Sequence, residues 1–343
     1  MNYAFTALAA SGMIDLEAVL FVGVCVMVFF FGICIGSFLN VCILRLPMGE
    51  SLTKQNSHCM TCGTEIKRYD LIPLFSWLIL GGKCRACKAP ISPRYSIVEG
   101  LTGVIFVLTF VNCDFVNNGF LYPALVCLFI AGVIVVGFQD FDTQHMTTSV
   151  LFYIGIVAFA TRVLSIVRPT RFRACDVTVL DGIIGFFCVS VPLLIIGFVI
   201  TPLFYKLFIS EEHKSLKNLK KRLKTEKLSD KERAKLEKAA EEKLAVIKEN
   251  GPVYGFGMGD VLFMAASGLM LGWKACVSAT FIAIILGATA AIVIKIKNSK
   301  TEGETDNAFA FGPFLAIGVV AALFFGADIF DWYVGLITVP EMM

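Results

Sequence analysis

Long apolar runs, separated by short polar or charged stretches, decide what this chain can become. A helix that crosses a bilayer needs about 20 such residues. Eight stretches approach that length, at 17–44, 97–112, 119–139, 149–166, 178–205, 259–273, 275–294 and 311–335. The second, fourth and sixth are the shortest. With 57% of its 343 residues hydrophobic and a mean hydropathy of +0.77, the chain is far more apolar than a soluble domain. The expectation is an all-α polytopic membrane protein with about eight transmembrane helices. No basic segment precedes the first stretch and no small-residue cleavage site follows it, so it reads as a retained helix.

Charge sets the expected orientation. Of the 30 Lys and Arg, 8 lie between Arg45 and Arg94, 14 between Lys206 and Lys248, and 3 between Lys295 and Lys300. Eight alternating helices put all three segments on one side and leave five basic residues for the other: Arg162, Arg168, Arg171, Arg173 and Lys274. Basic loops stay in the cytoplasm, so these segments are expected there and both chain ends outside. The net charge of +3 therefore reflects uneven loops and makes no case for nucleic acid. Residues 206–250 stand out as a charged insertion. Leu216, Leu219 and Leu223, then Leu236, Leu244 and Ile247, recur at helical spacing, and Ser229-Asp230-Lys231-Glu232 fits a capping box. Two helices with a break near 227–229 are expected. The insertion leads straight to Gly257, which suits a shield for a site or a contact with an assembly partner; a solvated hairpin drawn to anionic lipid explains the same composition.

Twelve cysteines divide into two groups. Eight are scattered, at Cys25, Cys34, Cys42, Cys113, Cys127, Cys175, Cys188 and Cys276, and most fall in apolar runs where a thiol packs as a small hydrophobe. Cys113 and Cys175 fall in expected outer loops, where a disulfide between them is the less favoured reading. The other four form Cys59-Met60-Thr61-Cys62 and Cys84-Arg85-Ala86-Cys87, with 21 residues between the pairs. Two such knuckles present four thiolates to one ion, the closed tetrahedral arrangement of a structural zinc site. A reducing cytoplasm disfavours the disulfide alternative. Zinc at Cys59, Cys62, Cys84 and Cys87 is expected to fold a loop with little apolar core of its own. Nearby His58 reads as a solvated surface residue.

Two acidic motifs stand where apolar runs meet polar ones on the same expected surface. The first is Gln139-Asp140-Phe141-Asp142-Thr143-Gln144-His145-Met146-Thr147, the second Gly257-Met258-Gly259-Asp260. Separately, each reads as a polar turn or a helix-start aspartate. Brought together, two carboxylates in a low-dielectric site share a proton and divide acid and base work. The glycines beside Asp260 allow close backbone approach, as of a substrate strand. His145 reads as a surface residue. No Ser-His-Asp order and no His-Glu-x-x-His helix is present, against serine or zinc-protease chemistry. The acid pair alone also suits a proton- or ion-coupled transporter. That reading leaves the four cysteines unexplained and expects paired internal repeats, of which none is seen.

Several strings together resemble the bacterial type IV prepilin peptidases, bifunctional leader peptidase and N-methyltransferase enzymes. They are Gly36-Ser37-Phe38-Leu39-Asn40-Val41, Arg45-Leu46-Pro47, the run Tyr69 to Trp77, Pro90-Ile91-Ser92-Pro93-Arg94-Tyr95 with Glu99, the two aspartate motifs, and Phe311-Gly312-Pro313-Phe314-Leu315-Ala316. Departures are Leu71 for a usual asparagine, Thr147 for the proline seven residues after the first aspartate, and Leu262 for a common lysine. The resemblance implies a membrane aspartic peptidase with Asp140 and Asp260 as the catalytic pair, supported by Gly257, Gly259 and the neighbouring Asp142. It implies cleavage of the basic leader of a type IV prepilin or pseudopilin after a glycine and before a hydrophobic helix, at the cytoplasmic face of the bacterial cytoplasmic membrane. It also implies methylation of the new terminus from S-adenosylmethionine; a peptidase without methyl transfer is the narrower alternative. Arg94 and Glu99 are candidates for the methyl-donor site, though both read equally as interfacial anchors. The expected organisation is a first transmembrane helix in 1–46, a cytoplasmic zinc module in 47–96 associated with methyl transfer, and a peptidase domain in 97–343 carrying the 206–250 insertion. Pilus or secretion assembly machinery is a further expected partner.

Overall fold

A computed structural model of the chain describes residues 16–54, 56–167, 178–203, 210–225, 230–249, 257–298 and 310–338. Among these residues the regular structure is helical: α1 (Leu16–Arg45), α2 (Phe75–Ile79), α3 (Arg94–Asn112), α4 (Phe115–Asn118), α5 (Leu121–Thr143), α6 (Thr148–Val167), α7 (Val179–Ile195), α8 (Ser210–Thr225), α9 (Asp230–Glu249), α10 (Met258–Leu271), α11 (Trp273–Asn298) and α12 (Gly312–Thr338). Seven are long and apolar enough to cross a membrane: α1, α3, α5, α6, α7 with its continuation to Leu203, α11 and α12. The chain is therefore a multi-pass membrane protein.

The difference from eight lies in α10, which has 14 residues. At 1.5 Å per residue it rises about 21 Å, short of a hydrocarbon core of about 30 Å. It still runs from one end of the bundle to the other. Gly259, at its start, faces Met146, whereas Gly268 near its end meets Gly185 at the start of α7, and the Leu269 carbonyl takes the Arg162 guanidinium at 2.9 Å. Among the described residues, seven helices thus have membrane-crossing length, and α10 is a shorter, mostly buried apolar helix.

Packing follows small residues, as it must where lipid removes any hydrophobic drive between helices. A Cβ on Gly32 would strike the backbone of Gly103, fixing α1 against α3. Gly185 and Gly268 bring the α7 and α10 backbones so close that any side chain at either would collide with the other's carbonyl. Gly318 sits on Ala279 and Gly326 on Ala275, which runs α12 antiparallel to α11. Central among them is α5, with Phe129, Ile130, Val133 and Val136 fully buried. Its C-terminus is set by Gln144, in the left-handed region at φ 52°, whose N–H returns to the Asp140 carbonyl at 2.9 Å. At α7 a true capping box operates: Thr178 accepts from the Asp181 N–H and Asp181 from the Thr178 N–H, both at 3.1 Å.

The polar segment between α1 and α3 holds isolated bridges His58–Glu65 and Lys83–Pro90 and no extended strand. Its short helix α2 leans on the membrane helix α1, with Phe75 stacked on Phe30 at 6.0 Å. The charged insertion forms α8 and α9, as its spacing predicts, packed on each other. The expected break at 227–229, and Cys175, lie outside the described residues.

Candidate active site and metal centre

Asp140 lies in the last turn of α5 and is 8% exposed. Its carboxylate accepts the backbone N–H of Gly312 at 2.7 Å. Gly312 begins α12, so that N–H is one of the helix-start donors with no partner inside its own helix. Asp260, in the first turn of α10, accepts the Gly257 N–H at 3.1 Å and is half-buried. The two carboxylates are near enough for the charge of one to be felt at the other. Residues 120 apart in sequence are thus brought to one end of the bundle, where α5, α10 and α12 converge.

Glycine has a specific task at this convergence. A Cβ on Gly312 would lie 2.6 Å from the Asp140 carboxylate and 2.6 Å from the Met146 methyl; one on Gly259 would lie 3.2 Å from Met146. The space over both glycines is filled by Met146, which is buried. A strand of substrate was the expected occupant over Gly259. In this structure the protein's own methionine holds that place.

Asp142 is turned away from this pair. Arg94 grips it with two parallel hydrogen bonds at 2.6 and 2.5 Å, and the same guanidinium lies 5.1 Å from the centre of the Phe138 ring. This bidentate pair, the geometry that suits arginine to carboxylate, ties the first residue of α3 to the end of α5. Glu99 is buried and accepts the Leu74 N–H at 2.6 Å. Leu74 has φ 62° and ψ −51°, and the Phe75 N–H reaches the Pro73 carbonyl at 2.6 Å. That is the strained, positive-φ γ-turn, held by a carboxylate. Asn40, also buried, donates to the Tyr95 carbonyl at 3.0 Å.

The four cysteines Cys59, Cys62, Cys84 and Cys87 converge, all sulfurs within 4.8 Å of one another. Their two knuckles are built alike. The Gly63 N–H returns to the Cys59 carbonyl at 2.8 Å and the Lys88 N–H to the Cys84 carbonyl at 3.0 Å, with φ of 69° at Gly63 and 59° at Lys88. The donor set fits a metal ion: a Zn–S bond of about 2.3 Å gives a tetrahedral S–S edge of about 3.8 Å, and Cys59 lies 3.8 Å from Cys87. Amides of Cys62 and Thr61 favour the Cys59 thiolate and hold that thiol down at about 6. Although the Ala89 amide favours a thiolate at Cys87, desolvation and the thiols of Cys62, Cys84 and Cys59 push it up to about 11. Four negative sulfurs cannot stand together unless a cation joins them. Beside the cluster Arg85 pairs with Asp70 at 2.6 Å and lies over the Tyr69 ring. His58 and His145 are exposed.

Gln139, Met146 and Gly312 adjoin the aspartates without a role of their own legible in the sequence. An amide inside an apolar run was the available signal for Gln139; nothing marked Met146.

Two family models match successive parts of the chain. Residues 30–113 match the family model described as the Bacterial Peptidase A24 N-terminal domain, and residues 127–292 match that of the Type IV leader peptidase family. A prepilin leader peptidase/N-methyltransferase of Legionella pneumophila is 28% identical over 331 residues, covering 89% of this chain and 92% of that protein. One from Myxococcus xanthus is 49% identical over 81 residues, about a quarter (24%) of each chain. A type 4 prepilin-like proteins leader peptide-processing enzyme of Escherichia coli O78:H11 is 35% identical over 178 residues, 46% of this chain and 63% of that one. No solved structure gives a significant match.

Proposed function

The chain belongs to the type IV leader peptidase family, and from that premise we propose that it is a membrane aspartic endopeptidase. It removes the basic leader from type IV prepilin or pseudopilin precursors and methylates the new amino terminus with S-adenosylmethionine. One observation carries the peptidase reading: the Asp140 carboxylate, held by the Gly312 N–H, stands at the same end of the bundle as Asp260. A transporter reading accounts for neither the four-cysteine cluster nor the family match.

With one aspartate protonated and the other ionised, the ionised carboxylate takes a proton from water as the water oxygen attacks the scissile carbonyl carbon. The protonated partner gives its proton to the carbonyl oxygen. Collapse of the resulting diol breaks the C–N bond, and the proton taken from water passes to the departing amine. The pair titrates as a unit, so neither residue has a fixed role. Asp142, already paired with Arg94, takes no part in proton transfer. Gly257 supports the site by donating to Asp260 and Gly259 by leaving room beside it.

Cys59, Cys62, Cys84 and Cys87 would hold a structural zinc ion, which when bound joins the two knuckles. S-adenosylmethionine supplies the methyl group. Arg94 and Glu99 do not fit as its holders in this arrangement, since both are engaged within the protein. The basic segments support a cytoplasmic site in the bacterial cytoplasmic membrane, and α8 and α9 are the surface offered to pilus or secretion machinery. The organisation follows: a first helix within 1–46, the zinc module in 47–96, and the peptidase in 97–343 with its insertion at 206–250.

The test is a liposome assay with the purified protein, a recombinant type IV prepilin and a labelled methyl donor. A shortened product labelled at its new terminus is expected. No cleavage by zinc-loaded protein would refute the peptidase, and cleavage without label would remove the methyltransferase.

A further inference from the structure

We propose that Gln139 is a positioning residue for the aspartate pair, made necessary by threonine at position 147. The proposal rests on the peptidase reading above. Gln139 is wholly buried (0% exposed) next to Asp140, in the middle of an apolar bundle. A primary amide there costs free energy unless its donors and acceptor are met. Its Nε2 donates to the Cys42 carbonyl of α1 at 3.3 Å, and its Oε1 accepts the Thr147 N–H at 3.2 Å. One side chain thus closes the turn that runs from Asp140 through Thr147 and fastens it to a helix outside the peptidase core.

Met146 is what that turn carries. It is 5% exposed and wedged against both Gly259 and Gly312, the glycines next to Asp260 and in contact with Asp140. It therefore spaces α10 from α12, the two elements that meet Asp140. Thr147 adjoins this wedge, and its N–H depends on Gln139. Without that acceptor the amide is left unpaired in a half-buried turn, which costs about 1–3 kcal/mol, and the turn relaxes toward water with Met146 attached. A proline at this position would have no N–H and would need no acceptor. Threonine adds a donor, and Gln139 supplies the oxygen it requires. Gln139 and Thr147 are thus one device, and each is intelligible only with the other.

The experiment measures kcat and KM for cleavage of a recombinant type IV prepilin by wild type, Gln139→Met, Thr147→Pro and the double variant, with bound zinc and detergent gel filtration as checks of folding. Methionine keeps the length and volume of glutamine and removes both hydrogen bonds. The expected result is a kcat about tenfold or more lower in Q139M with KM unchanged, a smaller loss in T147P, whose missing N–H leaves the buried Gln139 oxygen unpaired, and recovery in the double variant to within about threefold of T147P. If Q139M fails to fold, recovery of folded, active protein in the double variant supports the same coupling. Wild-type kcat in Q139M, an inactive T147P, or a double variant as impaired as Q139M overturns the proposal alone. Absence of cleavage by the wild type overturns the peptidase reading and this inference with it.

Discussion

The cysteine cluster and the aspartate pair are assembled by opposite means. Each knuckle takes two ligands three residues apart and sets them with a tight turn whose closing N–H returns to the first cysteine. The aspartates come to the bundle end on two different helices, and what meets them there comes from elsewhere: Gly312 for Asp140, and for the space beside both, Met146. Local order makes the first site robust to what surrounds it and dependent on its ion. Long-range order makes the second dependent on the helix crossings that bring α5, α10 and α12 together. Arg94 and Asp142 join the two regions across a single bidentate pair.

That contrast breaks most visibly at the metal. Cys84→Ser should abolish zinc binding and open residues 57–91 to protease, while the helical bundle stays folded; metal analysis with limited proteolysis reads both. Simultaneous collapse of the bundle would mean that the regions are not independent. A smaller effect is expected at the link. Arg94→Ala leaves Asp142 unpaired and should lower stability by about 1–2 kcal/mol and slow cleavage severalfold, with Arg94→Lys only partly restoring it, since ammonium cannot reproduce the fork. Equal activity in all three would show that the link carries nothing.

The knuckles themselves sharpen the comparison. Lys88 occupies the left-handed position that Gly63 fills in the other knuckle. Lys88→Gly should therefore stabilise the module by about 1 kcal/mol, read as higher resistance to a zinc chelator. The smallest effect concerns the exposed Arg85–Asp70 pair. The Arg85 guanidinium bonded to Asp70 holds that carboxyl below its usual range. A depressed folded-state value stabilises above the unfolded one, near 4, and is lost as pH falls through the folded value. Asp70→Asn should remove that acid-side slope in the module's unfolding by lowering its stability slightly at neutral pH and leaving it unchanged in acid.

The unequal construction also explains what could be read from the residues alone. Spacing announces the metal site, because both ligands of a knuckle sit in one tight turn. Apolar blocks announce the bundle, and they mislead only at α10, where a run of bilayer-like composition is too short to cross and is packed inside protein. Asp140 and Asp260 are legible as a pair only through resemblance to known enzymes, since nothing local binds one motif to the other. The Arg94–Asp142 fork spans 48 residues and the Gly312–Asp140 bond 172, distances over which pattern carries no register. Strain at Leu74 is invisible for the same reason: its cause is Glu99, on another helix.

The central claim is that Asp140 and Asp260 act together on a peptide bond. Its most direct test is prepilin cleavage in liposomes by wild type, Asp140→Asn and Asp260→Asn, each shown to be folded and zinc-loaded. The account predicts cleavage by the wild type and a loss of at least about 100-fold in either variant. Cleavage at the wild-type rate by either variant would contradict it.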